Sequence, residues 1–295
     1  MTSVGVLAHS AKTMGGGLGE LRKTLSSFGI NDPLWREVEK SRFIPTKAKE
    51  ILDAGADLVF VWGGDGTVQQ AIDTFAGKPI SVAIMPAGTA NLFATNLGIP
   101  KNLEEAVNVG LHGSRRELDL GKMNGEHFGV MGGAGMDALM IRDADAGLKD
   151  KLGRIAYAWT GAKNIARRPV KMRIDVDGER WFNDEASCVL VGNVGDVIGG
   201  LAAFPDASPD DGVLNIGVVT ADGALEWART LGRAALGDVS GSPFVQTTTG
   251  RKFDVRFAAA TPYEVDGSDR TPTKHLKVRV KPKAITICVQ EGGEA

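Results

Sequence analysis

Residues 58–67 read Leu58-Val59-Phe60-Val61-Trp62-Gly63-Gly64-Asp65-Gly66-Thr67. An apolar run ends abruptly in two glycines, a carboxylate, a third glycine and a hydroxyl, and Val68-Gln69-Gln70-Ala71-Ile72 then opens a helix. Buried strand, tight turn and helix start together make an anion-binding arrangement. Glycine lets the backbone approach phosphate oxygens, and the helix N-terminus offers free N–H groups and a partial positive charge. The blander alternative is a tight turn whose aspartate caps the helix. That alternative does not account for a second copy of the device, Pro86-Ala87-Gly88-Thr89-Ala90-Asn91, at the end of the apolar strand Ile80-Ser81-Val82-Ala83-Ile84-Met85. Neither turn is a Walker A loop or a dinucleotide fingerprint. Two glycine-hydroxyl turns at the carboxyl ends of neighbouring parallel strands favour phosphate binding over helix capping.

The flanking sequence repeats the pattern. Val4-Gly5-Val6-Leu7-Ala8 reads as a strand, and Leu18, Leu21, Leu25 and Phe28 recur at helical spacing until Gly29. Thr46 is expected to cap a helix that carries Ala48, Ile51 and Leu52, and Asn102 with Glu105 to cap another. Strand and helix alternate to about residue 115, which predicts a parallel sheet covered by helices on both faces. Beyond it the texture changes to short strands with hairpin signals. These are expected at 171–176, 179–182, 187–192, 213–219, 253–258, 263–266, 275–280 and 284–289, with helices at 148–165 and 224–236, the latter capped by Asp222. The expected domains are an α/β unit over 1–118, completed by 284–295 if the last strand returns to it, and a mainly antiparallel β unit over 119–283.

The chain of 295 residues is long enough for two cored lobes, and its 43% hydrophobic and 24% charged content is that of a globular protein. A net charge of −2 gives no global basic field, so nucleic acid is not an expected partner. Cys188 and Cys288 sit in apolar runs and read as core thiols of a reducing compartment. No signal core or membrane-spanning run is read from the sequence. The expected location is therefore cytoplasmic, with at most peripheral contact at the inner face of the membrane.

The two turns, followed by Leu92-Phe93-Ala94 and Leu97-Gly98-Ile99-Pro100, resemble the diacylglycerol kinase catalytic superfamily. This group includes bacterial lipid kinases and sphingosine kinases, with ATP-NAD kinases and phosphofructokinases as more distant relations. Gly133-Ala134-Gly135-Met136-Asp137-Ala138 resembles it too, as do Gly192-Asn193, Gly199-Gly200, the run Pro205-Asp206-Ala207-Ser208-Pro209-Asp210-Asp211-Gly212, and Tyr263-Glu264-Val265-Asp266-Gly267. The resemblance implies an NAD kinase-like α/β lobe, a β-sandwich lobe and an active site in the cleft between them. It implies transfer of the γ-phosphoryl of ATP, with Mg²⁺, to a lipid hydroxyl, diacylglycerol above all. A catalytically weak homologue, or a kinase of phosphatidylglycerol, a sphingoid base or NAD, is the alternative.

By motif match, Gly63, Gly64, Asp65, Gly66, Thr67, Gly88, Thr89 and Asn91 hold the nucleotide, with Ser10 a candidate from the first loop. Asp65 places metal and phosphate, Asp137 joins that acidic network, and Asp266 is the general base. A structural magnesium is expected on the Asp211 carboxylate and the backbone oxygens of Ser208 and Val213, since oxygen ligands suit a hard cation. The expected partner is a lipid substrate at a membrane surface, and a homodimer is compatible with the resemblance.

Three departures stand out. Ala8-His9-Ser10-Ala11-Lys12 replaces the family's Asn-Pro-x-Ser-Gly loop, Leu92 replaces an aspartate, and Ser268 stands where many members carry glutamate. Lys277, Arg279, Lys281 and Lys283 alternate along a strand. A solvated face is the simpler account of them, and a membrane-facing patch the sharper one.

Overall fold

The structure, a computed structural model, describes residues 3–135, 169–198, 201–235, 239 and 241–291. The expected 148–165 helix and Asp137 lie outside the described residues. The chain forms two compact units, Met1–Leu120 with His127–Gly129 and Lys281–Ala295, and Gly121–Glu126 with Val130–Val280.

In the first unit β1 (Val4–His9) lies between β2 (Leu34–Val38) and β3 (Leu58–Gly63), with β4 (Ser81–Pro86) beyond β3, all parallel. Thr286 and Ile287 extend the sheet past β4, again in parallel. β1 and β3 are buried at every residue, as strands covered on both faces must be. Helices α1 (Gly17–Ser27), α2 (Ile44–Asp53), α3 (Asp65–Phe75), α4 (Leu92–Asn96) and α5 (Leu103–His112) supply that cover. α1 packs beside α5 and α2 beside α3. Leu21 and Leu25 of α1 share one core with Ala106 and Val107 of α5, over Val6, Phe60 and Trp62.

Asn102 caps α5, its side-chain oxygen accepting from the Glu105 N–H at 3.1 Å. Thr46 does not cap α2. The helix starts two residues earlier at Ile44, with Pro45 in its first turn, where a missing N–H costs nothing. β2 was not expected, because this edge strand is half-exposed and shows no clean alternation.

The chain enters the second unit within β5 (Ser114–Met123), returns briefly to the first in β6 (Glu126–Phe128), and leaves it again before β7 (Met131–Ala134). Next come β8 (Val170–Val176), β9 (Glu179–Ala186), β10 (Cys188–Gly192), β11 (Asp196–Ile198), β12 (Leu201–Ala202) and β13 (Leu214–Val219). After them follow α6 (Ala224–Ala235), β14 (Val245–Gly250), β15 (Lys252–Val265) and β16 (Ser268–Val289). The antiparallel order is β14-β13-β10-β7-β15-β16, with β8 and β9 continuing from β15. Asp177 and Gly178, both at positive φ, close the β8–β9 hairpin as a two-residue turn.

Two expected breaks are absent. Residues 253–258 and 263–266 belong to the single strand β15, and 275–280 and 284–289 to β16. Pro262 is accommodated by register shifts in β15 rather than by chain termination. In α6 the expected cap is reversed: the Asp222 N–H donates to the Glu226 carboxylate at 2.8 Å. Both cysteines are free and buried, and burial pushes their thiols up, Cys188 to about 12 and Cys288 to about 11.

Candidate active site

Strand order fixes where a ligand can sit in the first unit. The chain steps from β1 outward to β2, then returns to the other side of β1 with β3. The order therefore reverses between β1 and β3, and their carboxyl ends, His9 and Gly63, open the crevice in which doubly wound sheets bind ligands.

The two glycine-rich turns are locked together there by Asp65. This residue opens α3, and its carboxylate accepts the Asn91 N–H at 3.0 Å and the Leu92 N–H at 2.6 Å. One aspartate thus complements the positive end of α3 and pins the start of α4 beside it. The glycines are needed by close approach. A Cβ on Gly88 would lie 2.5 Å from the Gly64 Cα, and a Cβ on Gly63 would lie 2.4 Å from the Thr67 side chain. Asn91 is buried at φ 50. Its side-chain oxygen accepts from the Gly88 N–H at 3.0 Å, and its amide donates to the carbonyls of Gly88 at 2.6 Å and Pro86 at 3.2 Å. The second turn is therefore built around Asn91, while Thr89 is exposed at its tip.

Ser10 is turned elsewhere. Its hydroxyl donates to the Val38 carbonyl at 3.2 Å, at the end of β2. The residue of the first loop that reaches the turns is Lys12, whose Cε lies 4.0 Å from where a Gly64 Cβ would stand. Its backbone is anchored by the buried Trp62, whose indole N–H donates to the Lys12 carbonyl at 2.9 Å. Burial and then the Lys12 charge hold His9 below the ordinary imidazole pKa. Sequence reading missed Lys12, because a lone lysine in a loop has no periodicity. Only the strand order shows that it faces the reversal point.

Asp266 belongs to the second unit, in the turn between β15 and β16. It is buried at φ 42, and one carboxylate oxygen accepts the N–H groups of Val130 at 3.0 Å and Met131 at 2.9 Å. Its own N–H donates to the Met131 carbonyl at 2.9 Å. Arg270 braces the turn, donating to the Ser268 carbonyl at 3.0 Å and pairing with Glu126 at 2.6 Å.

The residues expected to hold a structural magnesium lie on one short loop before β13. The Asp211 carboxylate accepts the Val213 N–H at 2.9 Å, and the Ser208 hydroxyl donates to Asp210 at 2.7 Å. The expected donors, the Asp211 carboxylate and the backbone oxygens of Ser208 and Val213, are all oxygen and so fit a hard cation. Among the described residues no cluster of three His, Cys, Asp or Glu side chains is poised to ligate a metal.

Two family models cover the chain in succession. The one described as diacylglycerol kinase catalytic domain matches residues 12–123, and the one described as YegS C-terminal NAD kinase beta sandwich-like domain matches residues 130–289. The diacylglycerol kinase of Bacillus subtilis (strain 168) is 28% identical over 225 residues, covering 75% of this chain and 74% of that protein. The crystal structure of a diacylglycerol kinase from Bacillus anthracis str. Sterne superposes with a TM-score of 0.77 at 25% identity, covering 98% of this chain and 97% of that one. An NAD kinase from Archaeoglobus fulgidus in complex with ATP shares the fold at a TM-score of 0.58 and 11% identity, over 98% of this chain and 94% of that one.

Proposed function

Because this chain belongs to the family of diacylglycerol kinase catalytic domains with a YegS-type C-terminal sandwich, we propose that it transfers the γ-phosphoryl group of ATP to a lipid hydroxyl, with diacylglycerol the leading acceptor. The observation that carries the reading is the pair of glycine turns clamped by Asp65 at the reversal point of the parallel sheet. Phosphoryl transfer needs positioning and charge stabilisation more than covalent chemistry, and backbone amides at the start of α3 with a lysine across from them supply both.

In this reading the lipid oxygen bonds to the γ-phosphorus as the bond to the bridging oxygen breaks and ADP leaves. The hydroxyl proton passes to the Asp266 carboxylate, which two backbone N–H groups hold in one orientation. Lys12 and the turn amides bind the phosphates. Magnesium would neutralise charge on the phosphates, with Asp65 and Asp137 as the carboxylates that would hold it, directly or through water. Among the described residues no helix is long and apolar enough to cross a membrane, so the lipid is proposed to be met by peripheral contact.

A second reading, binding of nucleotide or lipid without turnover, is favoured by one observation: Ser268 supplies no carboxylate beside Asp266. Incubation with γ-labelled ATP and a panel of diacylglycerol, phosphatidylglycerol, sphingoid base and NAD separates these readings. Label in phosphatidic acid is the expected result. Label in NAD alone would overturn the lipid assignment, and nucleotide binding with no labelled product would establish the second reading.

A further inference from the structure

The second unit carries a groove of about 850 Å³ that none of this chemistry uses. Its floor includes Phe253 and Val278, and its rim includes Lys122, Lys252, Lys277 and Arg279. Among the described residues, these four cations make no ion pair. The nearby carboxylates are already matched: Asp254 pairs with Arg256 at 2.8 Å and His275 at 2.9 Å, and Asp175 with Arg173 and Arg180, both at 2.9 Å.

The pairing register localises this excess. Lys277 stands opposite Asp254, whereas Lys252 stands directly opposite Arg279 across β15 and β16. Like charges facing each other across an antiparallel pair are unfavourable unless something between them is negative. The groove walls are also fixed in advance. At one end Asn124 accepts the Lys277 N–H at 2.9 Å and donates to the His275 carbonyl at 3.1 Å. At the other, Asp177 accepts the N–H groups of Arg251 at 3.1 Å and Lys252 at 2.8 Å. Two turns pinned to the strands they flank fix the backbone from which these cations project.

We propose that this groove is a binding site for phosphate-bearing anions, held by Lys122, Lys252, Lys277 and Arg279. The phosphate could be carried by a soluble molecule or by a headgroup in an anionic bilayer, and the chemistry of recognition is the same. The site lies wholly within the second unit and stands whether or not the chain is a kinase.

The test uses the full chain, as wild type and as the double variant Lys252→Gln/Arg279→Gln. One arm titrates inorganic pyrophosphate by calorimetry. The other sediments the protein with vesicles of phosphatidylcholine, alone or with phosphatidylglycerol. Pyrophosphate held at the first unit's glycine turns is common to both proteins and cancels in the comparison. The expected result is a loss of affinity of roughly fivefold per cation removed, about 25-fold for the double variant. A loss confined to the phosphatidylglycerol vesicles identifies a bilayer headgroup, and one confined to pyrophosphate identifies a soluble phosphate. The variant is expected to melt no lower than wild type, because a like-charge pair has been removed. If it does melt lower, Lys122→Gln replaces it, with a roughly fivefold loss expected. Wild type and variant binding equally in both arms, or wild type binding in neither, overturns the proposal.

Discussion

Lys12 and Asp266 show how differently single residues advertise themselves. Asp266 stands before a glycine in a run whose resemblance marks it, and the structure adds its left-handed backbone and two backbone N–H donors. Asn tolerates that backbone and its side-chain oxygen can accept the same two bonds, so Asp266→Asn removes the proposed base without removing the brace. Turnover is expected to fall by about 10²–10⁴ with ATP affinity and melting temperature near wild type. Retained turnover would show that the proton goes elsewhere. Lys12 had no such signal, and its meaning comes from the chain returning to the far side of β1. Lys12→Met is expected to raise KM for ATP about tenfold or more, the order of a charge-assisted hydrogen bond, with Lys12→Arg recovering part of the loss. The same variant removes a charge that depresses the His9 pKa, so the imidazole should titrate higher by NMR. An unmoved His9 would place the Lys12 ammonium away from the imidazole. In wild type, the lowered His9 pKa means that the unfolded chain binds the proton first. His9 then contributes stability above the ordinary value of 6.5 that is lost as pH falls below it.

Among the elements, the legible ones were those that are buried and short. β1, β3 and β4 are mostly apolar and almost wholly buried, ending in His9, Gly63 and Pro86, and the structure has them within a residue or so of the expected bounds. β2 and β14 were not legible, because an edge strand with polar residues carries little periodic signal. β15 and β16 were each read as two strands, with gaps at 259–262 and 281–283, yet both continue, β15 with register shifts on either side of Thr261. The two turns were legible as glycine clusters, but not the reason they need glycine. Gly88 packs its Cα against Gly64, so Gly88→Ala drives a methyl into backbone that has no rotamer to yield. That substitution is expected to cost about 1–3 kcal/mol in thermal melts and to abolish ATP binding by calorimetry. Gly19→Ala, in open space on α1, serves as the control and should leave ATP binding unchanged and melt no lower than wild type, since alanine favours helix over glycine. Normal ATP binding by the Gly88→Ala protein would show that the turns need not touch.

For the whole molecule, the sequence announced two units with different textures, but it could not show that the chain crosses between them within single strands. β16 begins in the second unit and ends in the first, where Thr286 and Ile287 pair with β4 beside the buried Ile285, Cys288 and Val289. The backbone turns at Lys283, whose φ of 49 interrupts the expected row of four cations. Lys283 instead gives its N–H to Asp119 at 2.8 Å, and only Lys277 and Arg279 remain with the second unit. Residues 285–289 are thus core of the first unit. Ending the chain at Lys283 removes four buried apolar side chains, roughly 6–12 kcal/mol of transfer free energy, comparable with the entire stability of a typical domain. The truncated protein is expected to lose hydrogen-exchange protection throughout β1, β3 and β4. Protection equal to wild type would mean that the sheet closes without its last strand. Cys188, fully buried in the second unit, then reports on that unit separately. It is inert to thiol reagents while the unit is folded, because the thiolate is suppressed by burial. If Cys188 stays unreactive in the truncated chain, the second unit folds without the first. Reaction at the rate of a denatured control would make the molecule one cooperative whole despite its two cores.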